Sequence, residues 1–401
     1  SGIVDFLKGC GRQVVSGGRA YKAWVAFLLA IIAVGAVAYA QQFRAGLIAT
    51  HMRDQVSWAF YIGNFTFLVG VAAAAVLLVI PAYVYHWKPI KEVVVLGELL
   101  AISALIMCLL FILADMGRPD RFLHMMPLLG TPNWPRSLLA WDALVLNGYL
   151  LVNVVLVSYL LFKTYRGQAY DKRIFLPLVL LSIPVSISTH TVTAFLYNGM
   201  AARPYWNASI LAPRFIASAF CSGPAVMIIL FQVLRRTNRL DIKDEAIWKI
   251  AELMAYAMFL NLFLLGAELF KEFYSATEHV LYTEYFWTGI GEHRALVPYA
   301  WFSLACSVVA FLLFLVPRTR RNYVTLNLGC LLIWAGVYIE KGMGLIIPGF
   351  TPDTLGQIYE YRPSAVEWGV AVGVFGVGFL VFTLLVKIAV PILVGSFRAP
   401  Q

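Results

Sequence analysis

Polar residues are sparse along this chain, and long apolar stretches run between them. Ten stretches are long enough to cross a bilayer, which takes about 20 apolar residues as a helix. They read approximately as 22–42, 57–85, 93–115, 137–162, 174–198, 210–234, 247–270, 296–316, 323–345 and 368–394. In lipid the backbone must satisfy its own polar groups, so a span is a helix or part of a closed barrel. Long, continuous runs select helices. Tyr and Trp stand at many of the ends, including Trp58, Trp87, Trp141, Tyr205, Trp206, Trp248 and Trp301, where an interfacial belt is expected. The first run ends in Ala38-Tyr39-Ala40, which looks like a small-residue cleavage site. Its apolar run is longer than the about 7–15 residues of a signal h-region, so it reads as a helix.

Composition gives the same class. Hydrophobic residues make up 61% and charged residues 13%, against roughly 45–50% and about 25% in soluble domains. The 31 Lys and Arg divide unevenly: 20 lie at the termini and in the even loops, 11 in the odd loops. The positive-inside rule therefore puts both termini in the cytoplasm, in a cytoplasmic (inner) membrane, and the odd loops outside. The net charge of +10 is explained by topology and anionic lipid, and no charge run points to nucleic acid. The outer loops after the seventh and ninth spans are the longest and carry Glu272, Glu278, Glu284, Glu292, Asp353 and Glu360. They are either a docking surface or plain solvated loops.

Cysteine and histidine usage narrows the chemistry. Cys10, Cys108, Cys221, Cys306 and Cys330 include no C-x-x-C pair, and four of them fall inside spans. No iron–sulfur cluster or metal site is expected in this chain. Of the six histidines only His190 lies clearly within a span, so a haem held by two histidines is not expected either.

Polar residues in the spans hint at an internal repeat. Glu98 opens the third span and Glu252 the seventh; Asp115 and Glu268 close the same two. Asn64-Phe65 near the start of the second span matches Arg214-Phe215 near the start of the sixth. His190 and Glu340-Lys341 approach the outer ends of the fifth and ninth. This suggests an all-α membrane protein of two parallel four-helix bundles with two flanking helices. The expected division is 1–56 (N-terminal segment and first flanking helix), 57–199 (first bundle), 200–345 (second bundle) and 346–401 (outer loop and last helix). Gly369, Gly373 and Gly376 would let the last helix approach a neighbour closely.

A charge inside a membrane is costly and is a functional candidate by default. The outer halves of the spans hold Asn64, Asp115, Asp142, His190, Arg214, Glu268, Glu340 and Lys341, whereas the inner halves hold chiefly Glu98 and Glu252. Asp115, Asp142 and His190 are expected at similar depth, and could share one pocket. A histidine with carboxylates in an apolar slot suits quinone chemistry, because each two-electron step also moves two protons. The plainer reading is that the three pair to hold helices together. Glu98 and Glu252 read either as snorkelling acids or as the inner end of a proton path, with hydroxyls such as Ser188 and Thr191 on the way. Pro177, Pro184 and Gly223-Pro224 would loosen the helices beside it.

One motif carries a resemblance. Asp115-Met-Gly-Arg118-Pro119-Asp-Arg121-Phe resembles the Asp/His-x-Gly-Arg-Pro motif of the NrfD-like family, the membrane subunits of polysulfide reductase and related complexes. The segment around Trp58–Ala75 looks like that family's first core helix. His190-Thr-Val-Thr-Ala-Phe-Leu-Tyr197 followed by Ala212-Pro213-Arg214-Phe215 is similar to its ten-helix branch. That branch includes the membrane subunits of the high-molecular-weight cytochrome complex and, nearest, of the sulfite-reductase-linked Dsr complex. The resemblance covers roughly residues 55–345.

The resemblance implies an eight-helix core and a menaquinone or ubiquinone site in the first bundle near the outer surface. It implies a ferredoxin-like iron–sulfur partner outside, together with cytochrome c and further membrane and catalytic subunits, in sulfur or sulfate metabolism. Asn64, Asp115, Arg118, Trp141, Asp142 and His190 would line or support the quinone site. The cluster Arg214, Glu268, Glu340 and Lys341 receives no role. Some relatives carry a His in the first core helix where this chain has Ala72 to Ala75, which leaves His190 as the quinone-contacting histidine. Proton translocation stays open. The alternatives are an ion or proton transporter without a redox role, whose site would usually lie near the midplane, and a structural membrane anchor.

Overall fold

A computed structural model describes residues 2–91, 93–126, 128–237 and 240–399. Arg239, one of the cations counted in the even loops, lies outside the described residues. The chain is helical, and among the described residues ten helices are long and apolar enough to cross a membrane. Spans one to five are Arg19–Ala45, Phe60–Val84, Val94–Asp115, Leu138–Tyr165 and Lys172–Asn198. Spans six to ten are Leu211–Thr237, Asp244–Ser275, Val297–Leu315, Tyr323–Phe350 and Ala365–Leu393. Each falls on an expected run. The protein is an all-α, multi-pass integral membrane protein.

Spans two and three are the heart of the molecule, with 78% of the apolar window of each buried, against 17% for span one. Span two packs on three, three on four, four on five, and five back on two. Spans six, seven, eight and nine close a second ring in the same order. The rings meet where span six lies against spans two and five. Spans one and ten pair with each other outside, and span ten rests on span three.

Two spans are interrupted. In span two the regular ladder stops at Ala73 and resumes at Val76. Across the step Leu77 donates to Ala74 and Leu78 to Ala75, the tighter three-residue pattern. Tyr149 on span four donates to the Ala72 carbonyl (3.4 Å) and Ser186 on span five to the Ala73 carbonyl (3.3 Å). Neighbouring helices thus supply donors at the break, as an apolar medium requires. The break also lets span six come close: a Cβ on Gly223 would lie 1.9 Å from Ala74 Cβ. The same helix ends in a π turn at Ile80–Val84. Span nine is interrupted at Gly342, after which Met343–Phe350 continues as a short helix.

Spans one and ten cross at glycines. A Cβ on Gly35 would sit 2.4 Å from Gly373 Cα, and one on Gly373 would sit 2.5 Å from Gly35 Cα. Gly369 faces Ala38 and Gly376 faces Ile31. The small residues of span ten therefore serve its contact with span one, the close-approach geometry that replaces a hydrophobic driving force in lipid.

The odd-loop face is tied by an acid that the apolar pattern does not single out. Glu367 is fully buried. It accepts from the backbone of His51 (3.0 Å) and of Ser364 (2.8 Å), and from the Tyr361 hydroxyl. Ser364 and Glu367 form a capping box at the start of span ten. Burial, then the charge of Glu367, holds the Tyr361 phenol above its usual range, so it remains a donor. Trp206 departs from the expected belt. It is fully buried, donates to the Leu345 carbonyl (2.8 Å), and stacks on Trp58 with ring centres 6.1 Å apart. The loop before span six folds inward over the helix ends, whereas Trp301 is 54% exposed and suits the belt.

Two expectations follow. Gly373→Leu forces spans one and ten apart; thermal unfolding in detergent drops, and cross-linking between cysteines placed along the two helices is lost. Glu367→Ala leaves buried donors without an acceptor, at about 1–3 kcal/mol; it lowers the unfolding temperature and speeds protease cleavage around His51.

Candidate functional site

The polar residues of the first bundle come mainly from one face of span five. Ser182, Ser186, Thr189, His190, Thr193 and Tyr197 recur at three- and four-residue intervals and are all buried. Thr193 donates to Asp142 Oδ1 on span four (2.7 Å) and to the Thr189 carbonyl (2.9 Å). Asp142 is fully buried, and its other oxygen, Oδ2, has no hydrogen-bond partner among the described residues. His190 is 1% exposed, and neither ring nitrogen has a partner there. Lying three residues before Thr193, His190 leaves the helix on the same side. Asp142 and His190 thus stand on two packed helices, each with hydrogen-bonding capacity unused among the described residues. Asp142 lies about 6 Å and His190 about 12 Å in from the helix ends at the odd-loop face.

The other expected members are placed differently. Asn64 is buried with both amide atoms engaged: it donates to the Phe60 carbonyl (2.8 Å) and accepts from Tyr338 on span nine (2.7 Å). It works at the seam between bundles. Asp115 stands at the end of span three, within electrostatic reach of Glu367 and Tyr61. Beside it Gln42 on span one donates to the Ala114 carbonyl (2.7 Å) and accepts from Tyr61 (2.6 Å). Tyr197, hydrogen-bonded to Thr66 (2.6 Å), is within electrostatic reach of both Asp115 and Asp142.

Arg118 is exposed and paired with Asp120 (3.0 and 2.9 Å), whose carboxyl is held below the usual range chiefly by that hydrogen bond. It borders a cleft of about 330 Å³ with Tyr39, Gln42, Phe43 and Leu47, next to Asp115 rather than to His190. Trp141 donates to the Pro135 carbonyl (2.8 Å) and stacks on Trp134 at 4.5 Å, toward the loop.

The proposed inner acids prove unlike each other. Glu98 is 2% exposed, and its Oε2 has no partner among the described residues. Tyr83, in the π turn, and Tyr149 are within electrostatic reach of it. Glu252 is about a third exposed and paired with Lys249 (3.2 Å) and Tyr256 (3.1 Å). Ser188 and Thr191 are half-buried and off the inner face of span five; Thr191 bonds back to its own helix. The structure does not join Glu252, Ser188 and Thr191 to Glu98. It places Tyr149, Asn153, Ser182 and Ser186 in the bundle interior between Glu98 and Asp142 instead. Tyr149 and Asn153 sit four residues apart on span four, a polar pair visible in sequence only once the buried face is known.

The second cluster does assemble. Arg214 on span six pairs with Glu268 on span seven and with Glu340 on span nine (2.5 Å). Lys341 is buried, donates to the Phe215 carbonyl (2.7 Å), and lies 4.3 Å from the centre of the Phe215 ring. It is within electrostatic reach of His190. No group of histidines, cysteines and acids among the described residues could hold a metal ion.

Comparison with known proteins agrees with this architecture. The family described as "Polysulphide reductase, NrfD" matches residues 48–351, which spans the two rings of four helices and leaves spans one and ten outside. A putative membrane subunit of dimethyl sulfoxide reductase from Halobacterium salinarum is 27% identical, over 92% of each chain. A selenate reductase subunit from Mesobacillus selenatarsenatis is 22% identical, over 92% of this chain and 93% of its own. An Hdr-like menaquinol oxidoreductase integral membrane subunit from Archaeoglobus fulgidus is also 22% identical, with the same coverage. With three quarters of its length matched by one family, from the residues before span two to the end of span nine, this chain belongs to the NrfD polysulphide reductase family.

Proposed function

We propose that this chain is the quinone-interacting membrane subunit of a multisubunit respiratory oxidoreductase. The observation that carries this reading is that Asp142 and His190, on the packed spans four and five, are both buried while Oδ2, Nδ1 and Nε2 are left unbonded to the described protein. Buried polar groups are rarely left so. A ligand with both donor and acceptor oxygens and an apolar body fits them, and a quinone is such a ligand. The family membership supports it, as do the relatives named as reductase subunits and as a menaquinol oxidoreductase subunit. The last favours menaquinone over ubiquinone.

A bound quinol supplies two electrons and two protons. His190 serves as proton acceptor at a ring nitrogen and Asp142 at Oδ2, with Thr193 fixing the carboxylate. Apolar walls of spans two to five exclude bulk water. Both residues lie near the odd-loop face, so protons released there leave on that side. By the cation asymmetry it is the periplasmic side of the cytoplasmic membrane, with both termini cytoplasmic. A ferredoxin-like iron–sulfur subunit docked on that face takes the electrons. Cytochrome c and catalytic subunits complete the complex, in sulfur or sulfate metabolism.

The interior polar residues from Glu98 to Asp142 support a second component, proton passage from the opposite face. Glu98 is its inner end, because it is buried with an unpartnered oxygen.

In the assembled complex, His190→Ala and Asp142→Asn lower quinol oxidation by about 10²-fold, while gels show every component of the complex at its usual level. Full turnover in either variant overturns the site. A pure anchor would show no bound quinone after solvent extraction of the purified complex. Glu98→Gln retains quinol oxidation in detergent but loses proton uptake from the inner side in vesicles. Unchanged uptake removes the proton path and leaves the quinone site standing.

A further inference from the structure

The chain opens with a helix that the family match does not include. Gly2–Val15 precedes span one and joins it through Ser16–Gly18. Tyr21 on span one donates to the Val14 carbonyl (2.9 Å), which holds the helix at the membrane boundary. At 3.6 residues per turn its side chains sort into sectors. Phe6 and Cys10 face the protein: the Phe6 ring lies 5.4 Å from Phe162 and 5.1 Å from Tyr165, and Cys10 is buried. Gly9, turned further round, lies under the Phe397 ring. The arc on the other side of Cys10, about 120° wide, carries Ile3, Val4, Leu7 and Val15, which are 54–78% exposed. Lys8 and Arg12 stand one turn apart along the flank of that arc. Among the described residues neither forms an ion pair, and both line a shallow cleft with Gly11, Val15 and Ser16.

We propose that this helix is a lipid-binding element lying in the bilayer surface, its apolar arc among the acyl chains and anionic phospholipid headgroups on Lys8 and Arg12. Three features point to a lipid surface as the occupant. The helix is tethered beside a membrane span at the level where that span begins. Its order around the axis is protein, apolar arc, basic flank, which is how an interfacial helix sits. The same membrane face also carries Arg19, Lys22, Lys163, Arg166, Lys387 and Arg398, a basic field that concentrates anionic lipid.

The test uses the full chain in nanodiscs of phosphatidylglycerol and phosphatidylcholine, mixed equally. Native mass spectrometry reads the lipid retained after extraction. The wild type keeps phosphatidylglycerol in preference; Lys8→Gln with Arg12→Gln lowers that preference at least threefold, while Arg236→Gln, an exposed cation elsewhere on this face, leaves it unchanged. Equal retention in the double variant overturns the headgroup assignment. A spin label on Leu7→Cys reports the arc: relaxation by oxygen and protection from a water-soluble nickel chelate are expected. Relaxation by the chelate, or shielding from both, means water or protein covers the helix and overturns the proposal. Neither readout involves quinol turnover, so the outcome is independent of the redox assignment.

Discussion

Everything in this protein answers to one constraint: within lipid, each backbone N–H and C=O must find its partner inside the protein. Ten long helices meet it by default. The informative place is where a helix departs from its own ladder. Span two does so at its middle, and the Tyr149 and Ser186 hydroxyls meet the Ala72 and Ala73 carbonyls there. Polar side chains are thereby drawn to the centre of the first bundle. Once present, they form the interior on which the proposed pathway between Glu98 and Asp142 rests.

The two rings answer the same problem differently. In the second, part-buried charges pair: Arg214 reaches two carboxylates on two other helices, with its Nε left unpartnered among the described residues. In the first, Asp142 and His190 retain unused hydrogen-bonding capacity. Desolvation makes such capacity expensive, so its retention is a stronger sign of a ligand than the mere presence of charge. The rings also share residues at their seam. Tyr338 of span nine holds Asn64 of span two, and Lys341 lies within electrostatic reach of His190. The second ring therefore helps shape the surroundings of Asn64 and His190 in the first.

The spans were legible because the length rule for lipid is strict and the apolar runs exceed it. Asp142 and His190 stand out in the sequence because charge in a membrane helix is rare, and the structure buries both. Trp206 was misplaced because an aromatic at a helix end normally marks the interface, and only tertiary structure shows a loop folding inward. The span-two break carries no Pro or Gly at Ala72–Ala75, so nothing local announces it. The equivalence of Glu98 and Glu252 failed on environment: similar positions in two helices have different neighbours. Ser364-Ala-Val-Glu367 could have been read as a capping box, but its partner His51 is 316 residues away in sequence. Periodicity in Gly2–Val15 was likewise available and overshadowed by the longer runs.

Glu367 has a consequence for the order of assembly. The loop that holds His51 is made between the first two spans, yet the carboxylate that receives its backbone N–H belongs to span ten, made 316 residues later. Until span ten is inserted, that loop lacks its acceptor, and span one lacks the glycine-lined surface it packs on. The odd-loop face is therefore closed only once span ten is in place, and a nascent chain stalled before residue 365 presents an unclosed surface where the redox partner is proposed to dock.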